Sequence, residues 1–326
     1  MREIDDPSSV EQILLNSDYS TECPFRATRV AIGRSMVDTD GGEHDLVKGM
    51  IAPFFNQENV EKRAAAIEAI VRKTFVQIEH QSEVDVLNDV AFSISMRVAF
   101  LLLGIDEAFL HFVRPRLEAV AFFITDGQVS VDDAVAARRD IEKFTQQQWG
   151  NPELSGPLGA LYQAQAAGVI TRKFALHNAT LLLVSSISTS VAAICLVFRH
   201  LGYQEALALR GDSDLMARWL VDLLRHHPPL AKLSRFKNRQ GDESGSAQAE
   251  HWVNLSLECD RVSASSGRSL SFGIGEHACL GSRLAMRELM CVTKVLATRV
   301  RPTSRTVIFE EREGALKIPA GMVYSW

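Results

Sequence analysis

Phe272-Gly273-Ile274-Gly275-Glu276-His277-Ala278-Cys279-Leu280-Gly281 is the stretch that decides what this chain folds into. Glycines let the backbone turn tightly and bring amides close to a flat ligand or a sulfur atom. Cys279 stands just before a helix-forming run, Leu284-Ala285-Met286-Arg287-Glu288, where unpaired N–H groups and the helix dipole favour a thiolate. The plainer alternative is a buried structural cysteine behaving as a small apolar residue.

Six of those ten places, Phe, Gly, Gly, His, Cys and Gly, match the cysteine loop of the cytochrome P450 family, which the chain resembles. A chance match is on the order of one in a million. The resemblance implies that Cys279 is the axial thiolate ligand of haem b, pushing electron density toward O–O cleavage. It implies that His277 bonds a haem propionate, that Phe272 shields the sulfur, and that Gly273 and Gly281 shape the cradle. The fold it implies is a mainly α, cytochrome P450-like helical haem domain with a reduced small β region.

Working outward, Asp222-Leu223-Leu224-Arg225-His226-His227-Pro228-Pro229 resembles the family's Glu-x-x-Arg helix and the proline turn behind the haem, with Asp in place of Glu. That pair belongs to the scaffold; taken alone it would read as a surface i,i+3 pair. The helix containing Asp40-Gly41-Gly42-Glu43-His44-Asp45-Leu46-Val47-Lys48 resembles the family's His-x-x-x-Arg helix. His44 and Lys48 are thereby propionate ligands, Lys48 supplying charge without the bidentate fork of Arg. Arg235, after the proline turn, is a third. The landmarks keep the family's order over nearly the whole chain, so residues 1–326 read as one domain, lacking the family's usual N-terminal strands.

The long helix expected from Thr171 to His200 departs from the pattern. Family members carry a small pair, an acid and a Thr there; the matching stretch is Val184-Ser185-Ser186-Ile187-Ser188-Thr189. Ile187 replaces the acid, or Ser188 does if the register shifts by one. No Asp or Glu occurs between Glu153 and Glu205, so the departure survives either register. Ser185, Ser188 and Thr189 are the candidate catalytic hydroxyls, able to orient water, although helical Ser and Thr often bond back to their own carbonyls.

The remaining helices are expected at Ser9–Asn16, His44–Phe55, Asn59–Gln77, Asp89–Leu103, Ala108–Ile124, Val131–Gln148 and Asp214–His226, with another from Gly281 to Thr298. Strands are expected near Trp252–Leu257 and in the tail from Thr303 to Trp326. Thr21–Met36 and Phe109–Ser130 are the expected substrate lids, with Phe112, Phe122 and Phe123 as apolar candidates that at helical spacing could equally be core.

Composition sets bounds. The 326 residues are 46% hydrophobic, enough for a large core, and carry a net charge of −5 with no basic stripe, which argues against a nucleic-acid partner. Five widely spaced cysteines, Cys23, Cys195, Cys259, Cys279 and Cys291, suggest neither a disulfide framework nor zinc, and a reducing cytoplasm is expected. Phe174–Phe198 holds no charge and is long enough to span a bilayer, but its His177, Asn178 and hydroxyl cluster argue for a buried helix and no membrane.

The expected function is a haem-thiolate oxidoreductase of the cytochrome P450 type acting on a small, largely apolar or secondary metabolite. Electrons would come from a ferredoxin or flavodoxin docked near Lys48, Arg283 and Arg287. The missing acid keeps a peroxide-dependent or redox-neutral enzyme (dehydratase, isomerase, group transfer) open, as well as a haem-free auxiliary subunit of a partner enzyme. A homodimer covering an exposed sheet edge is one way to compensate for lost strands.

Overall fold

A computed structural model of the chain describes residues 2–23, 25–151, 154–237, 252–258, 269–310 and 314–326. Cys259, the polar stretch 238–249 and all but the last residue of the Ser-rich stretch 262–269 fall outside them.

The chain opens with β1 (Arg2–Ile4), α1 (Pro7–Leu15), β2 (Tyr19–Ser20) and α2 (Ala27–Ala31). Helices α3 (Gly41–Ile51), α4 (Gln57–Lys62) and α5 (Ala64–Gln77) follow, then β3 (Glu83–Asp85). A π-helical segment, Val86–Phe92, runs directly into α6 (Ser93–Leu103), which ends where Gly104 takes a left-handed conformation at φ +74°. Next come α7 (Leu110–Thr125), α8 (Val131–Gln148), α9 (Gly156–Ala166) and α10 (Arg172–His200). The remainder is α11 (Tyr203–Leu209), α12 (Ser213–His226), β4 (Lys232–Lys237), β5 (Trp252–Ser256), α13 (Ser282–Arg299), β6 (Arg305–Glu310) and β7 (Gly321–Ser325).

Local chemistry accounts for many of these boundaries. Ser130 caps α8 by accepting from the Asp133 amide, and Asp132 and Asp133 favour its positive end. Thr171 caps α10 through the Phe174 amide at 3.2 Å. Two sheets flank the helices, one ordered β1-β5-β4-β2 and the other β3-β7-β6. The N-terminus carries one short strand: Arg2, Glu3 and Ile4 pair in parallel with Val253, Asn254 and Leu255. Three polar-leaning residues offer too little alternation to announce a strand, and the partner lies far along the chain.

Helix α10 runs through the protein and packs against α6, α7, α8, α9, α12 and α13. Twenty of its 29 residues are buried, including His177 and Asn178. By length and composition it could cross a membrane, as could Val86–Leu103, yet 78% and 72% of their apolar windows lie inside the protein. His177 Nδ1 donates to Arg34 O at 3.1 Å, and Asn178 Oδ1 accepts from the Met36 amide at 2.9 Å, tying the segment after α2 to α10. Gly33, at φ +96°, leaves no room for a Cβ against the His177 ring.

The large core gathers side chains from α3 through α13, with Phe75, Phe100, Phe144 and Phe198 fully buried. Each such aromatic contributes about 1.5–3 kcal/mol by leaving water. A smaller cluster, Val10, Leu14, Val253, Leu255, Leu257, Leu270 and Ile274, fastens the cysteine loop to α1 and β5. Phe122 and Phe123 pack on the large core, and Phe112 leans on Phe144 with Arg116 over its ring. None of these three lines the central cavity, so the α7 aromatics belong to packing.

Candidate functional site

The cysteine loop is built before any side chain functions in it. Leu270 O accepts from the Gly273 amide at 2.8 Å, Gly275 O from Ala278 at 3.1 Å, and Phe272 O from the Cys279 amide at 2.8 Å. Gly273 and Gly275 take φ of +64° and +75°, which L side chains rarely adopt, and a Cβ on Gly275 would lie 2.9 Å from Leu14 O. Gly281 is different: its φ is −79° and a Cβ would meet the Cys279 sulfur at an ordinary 3.8 Å.

Gly281 caps α13, so the helix begins three residues beyond Cys279. The amides of Gly281 and Ser282 donate to the Cys279 sulfur and draw its thiol toward ionisation, but surrounding protein raises it more strongly. The residue has accessible surface because it opens onto an internal cavity, not because it stands on the exterior. Left to itself the thiol stays protonated; a positive centre facing it would complete the thiolate.

That cavity has a volume of about 310 Å³. Leu181 and Leu182 of α10, with Leu230, Leu233 and Leu257, make much of its wall apolar. Phe272, Gly273, His277, Cys279, Gly281, His44, Lys48, Arg235, Ser185 and Thr189 all line it, so the structure brings together every candidate residue but one. The exception is Ser188, whose hydroxyl bonds back to Val184 O at 2.7 Å. Successive helical residues are rotated by about 100°, so Ser185, Ser186 and Thr189 share the cavity face while Ile187 turns into the core. Thr189 is thus an alcohol that faces the cavity, beside Ser185 and Ser186.

At the polar end, protein groups hold the bonds that the sequence assigned to propionates. His44 Nδ1 lies 2.8 Å from Met36 O and its Nε2 lies 3.1 Å from Glu276 O, which also accepts from Lys48 Nζ. His277 Nε2 bonds Asp40 at 2.8 Å. Ligand atoms of His44, Glu276 and His277 lie within 4.8 Å of one another, but each histidine already faces an oxygen of the protein. Asp40 also accepts from the Ser20 hydroxyl and from the amide and hydroxyl of Thr21. Burial alone would raise its carboxyl, yet these bonds, His277 foremost, hold it well below the usual range. Burial lowers His277, with His44 and Arg235 adding to the effect and Asp40 opposing it.

Arg235 is 5% exposed, and its one described hydrogen bond goes to the adjacent Ser234 O. Among the described residues no carboxylate lies within ion-pairing distance of it, although Asp40 and Glu276 are near enough to oppose the shift. Desolvation first, then Arg26, pushes it down to about 10. Arg26 also lines the cavity and pairs with fully buried Asp38 at 3.1 Å. Sequence reasoning missed Arg26, Asp38 and Asp40, because each gains its role from residues separated from it along the chain.

The Asp222/Arg225 pair is a correction. Asp222 faces solvent on α12, and among the described residues its carboxylate makes no ion pair with Arg225. Asp is one methylene shorter than the family's Glu and does not bring its charge inward.

No protein-family model matches the chain. Among curated proteins it is 24% identical, over 83% of its length and 69% of the relative's, to 20-oxo-5-O-mycaminosyltylactone 23-monooxygenase of Streptomyces fradiae. It is 22% identical to the biotin biosynthesis cytochrome P450 of Bacillus subtilis, over 83% of this chain and 73% of that protein. Among solved structures, 99% of the chain superposes on 90% of mycinamicin VIII C21 methyl hydroxylase from Micromonospora griseorubida, with a TM-score of 0.81 and 22% identity. The thaxtomin-hydroxylating cytochrome P450 TxtC gives a TM-score of 0.85 at 19% identity, over 99% of this chain and 92% of that one. An amide-cradled thiol beneath a long helix goes with these likenesses: the chain has the cytochrome P450 fold and is similar in sequence to cytochrome P450s across about four-fifths of its length.

Proposed function

We propose that this chain is a haem-thiolate oxidoreductase of the monooxygenase type, acting on a small, largely apolar metabolite in the cytoplasm. The observation that carries the reading is Cys279 itself, held by two amides at a helix N-terminus and aimed into an apolar cavity with a cationic rim. Members of the family bind haem b. The residues present fit it: a thiol is a soft donor suited to iron, and buried Arg235 is a cation in want of a carboxylate.

When bound, haem supplies redox chemistry that thiolate ligation tunes toward O–O cleavage. The chain's own residues do the rest. Gly281 and Ser282 donate to the sulfur and so set its electron density. Arg235, with Lys48 beside it, attracts propionates at one end, while His44 and His277 hold the loop and Asp40 in place. Phe272 and the leucines exclude water from the substrate space. Ser185 and Thr189 orient water or a substrate hydroxyl from the α10 side, and exposed Arg283 helps present a basic face to a ferredoxin or flavodoxin.

The test is an absorption spectrum of purified protein, ferric and then ferrous with carbon monoxide, for wild type and Cys279→Ala. A strongly red-shifted Soret band lost in the variant supports the reading, and protein that takes up no haem overturns it. A second reading, peroxide-dependent or redox-neutral chemistry, draws on the absence of any carboxylate from the described part of α10. Product formation without an electron donor would favour it.

A further inference from the structure

A second cavity, of about 270 Å³, lies behind the wall of the first and shares no described lining residue with it. Neighbours in the chain face opposite ways: Pro229 and Leu257 line the first cavity, Pro228 and Glu258 the second. On α10, Ala193 borders the first, whereas Cys195, Leu196, Arg199 and His200 border the second. Main-chain bonds hold the partition together, Lys317 N donating to Pro229 O at 2.8 Å and Ala231 N to Ala315 O at 2.6 Å. The thiol and cations of the first cavity therefore play no part in the second.

The volume stands just below the roughly 300–1,000 Å³ of small-molecule sites. Leu196, Ile308, Ile318 and Met322 give it apolar walls, and Arg199, Lys317 and Glu258 bring charge to the same space. Lys317 Nζ stands 3.5 Å from Glu258, and both side chains stay partly accessible. An ion pair this open to water is weak, so Lys317 can serve a second carboxylate.

His200 and His227 stack with ring centroids 4.1 Å apart and planes 21° from parallel. Burial first, then His227 and Arg199, lowers His200 to about 4, so that ring is neutral near pH 7. Burial pushes the Cys195 thiol up to about 12, and it adds no charge. Among the described lining residues, Arg199 and Lys317 against Glu258 then leave one positive charge in excess, to which a proton on His227 would only add. An apolar space with a surplus positive charge suits a molecule with an apolar body and a single negative charge. An inorganic anion would leave the leucine, isoleucine and methionine walls wet, and a neutral apolar molecule would strip water from Lys317 without replacing it.

We propose that the second cavity is a ligand site, separate from the first, that takes a small free carboxylic acid as its anion, the carboxylate meeting Lys317 and Arg199 and an apolar body resting on Leu196, Ile308 and Met322.

The purified full chain tests this by calorimetry and ligand-observed NMR, with benzoate as the probe and benzamide as its uncharged counterpart. Benzoate should bind the wild type, benzamide about tenfold more weakly, and Lys317→Gln should weaken benzoate by about tenfold. Ile308→Trp, which fills the cavity from the partly buried face of edge strand β6, should abolish this binding. Arg235→Gln, which alters the first cavity alone, should leave it unchanged. Circular dichroism of each variant separates loss of the site from loss of the fold, and partly exposed Lys317 supplies the decisive variant if Ile308→Trp does not fold. Benzoate binding that disappears in Arg235→Gln and persists in Lys317→Gln and Ile308→Trp would place the acid in the first cavity and overturn the proposal. Equal affinity for benzoate and benzamide, or no binding to the wild type at concentrations on the order of 10 mM, would overturn it too.

Discussion

Two glycines of the cysteine loop should respond very differently to the same methyl group. At Gly275 the backbone sits at φ +75°, where an L residue costs about 1–2 kcal/mol. The new Cβ would press on Leu14 O at 2.9 Å and on Leu15 Cδ2 at 3.3 Å. The oxygen is backbone, fixed by α1, and cannot swing aside, so overpacking adds about 1–3 kcal/mol. Gly275→Ala should therefore lose about 2–5 kcal/mol, which for a domain of this length lowers Tm by about 3–7 °C. Gly281→Ala, at φ −79° with its nearest contact at 3.8 Å, should lose under about 1 kcal/mol. Urea and thermal unfolding of the two variants, followed by circular dichroism, make the comparison direct. Equal losses at the two positions, or a larger loss at Gly281, would refute the assignment of Gly275 as the point where the loop is pinned to α1.

Asp38 is fully buried, pairs with Arg26 at 3.1 Å and accepts from Thr28 at 2.6 Å, so Asp38→Ala leaves a buried guanidinium uncompensated and should cost about 3–5 kcal/mol by urea denaturation. His177 should govern part of the acid limb of stability. Desolvation first, with Arg138, Lys173 and Arg29 adding to it against the bond to Arg34 O, lowers it to about 4, while Glu142 stands 3.6 Å away. Between about 4 and the ordinary 6.5 the unfolded chain binds the proton that the folded one refuses, so stability present above that window is lost as pH falls through it, by up to about 1.4 kcal/mol per pH unit. Glu288, raised to about 7, acts in the opposite sense from 4.5 upward, so the measurement is the difference between wild type and His177→Asn across that range. The slope should be shallower in the variant, and an unchanged slope would mean that His177 does not titrate with folding.

The parts legible from sequence were those whose signal is local. Cys279, Gly273 and His277 fall within one short loop, and α8 and α10 announce themselves through Ser130 and Thr171 followed by long helical runs. Helix α9 escaped notice because Ser155-Gly156-Pro157 reads as a turn, although proline is well suited to a helix's first positions. Strand β4 escaped because Lys232–Lys237 follows two prolines and gains its meaning from pairing with β5. The electrostatics of the site were hidden for a related reason. Nothing near Asp40 in sequence foretells His277, and nothing near Glu288 foretells Ser95 and Ser190; folding decides those neighbours.

The two bonds that fasten residues 34 and 36 to α10 make a lever of the cavity wall. Met36 and Val37 line the cavity on one side, while Leu181 and Leu182 line it one turn beyond the Asn178 latch. A molecule that leans on Met36 therefore pulls on the helix that bears Ser185, Thr189 and Ser190, and side wall and roof yield together or not at all. Room for a bulkier guest has to be found at the far rim, among Leu230, Leu233 and Leu257, where the wall is irregular chain and sheet instead of the central helix.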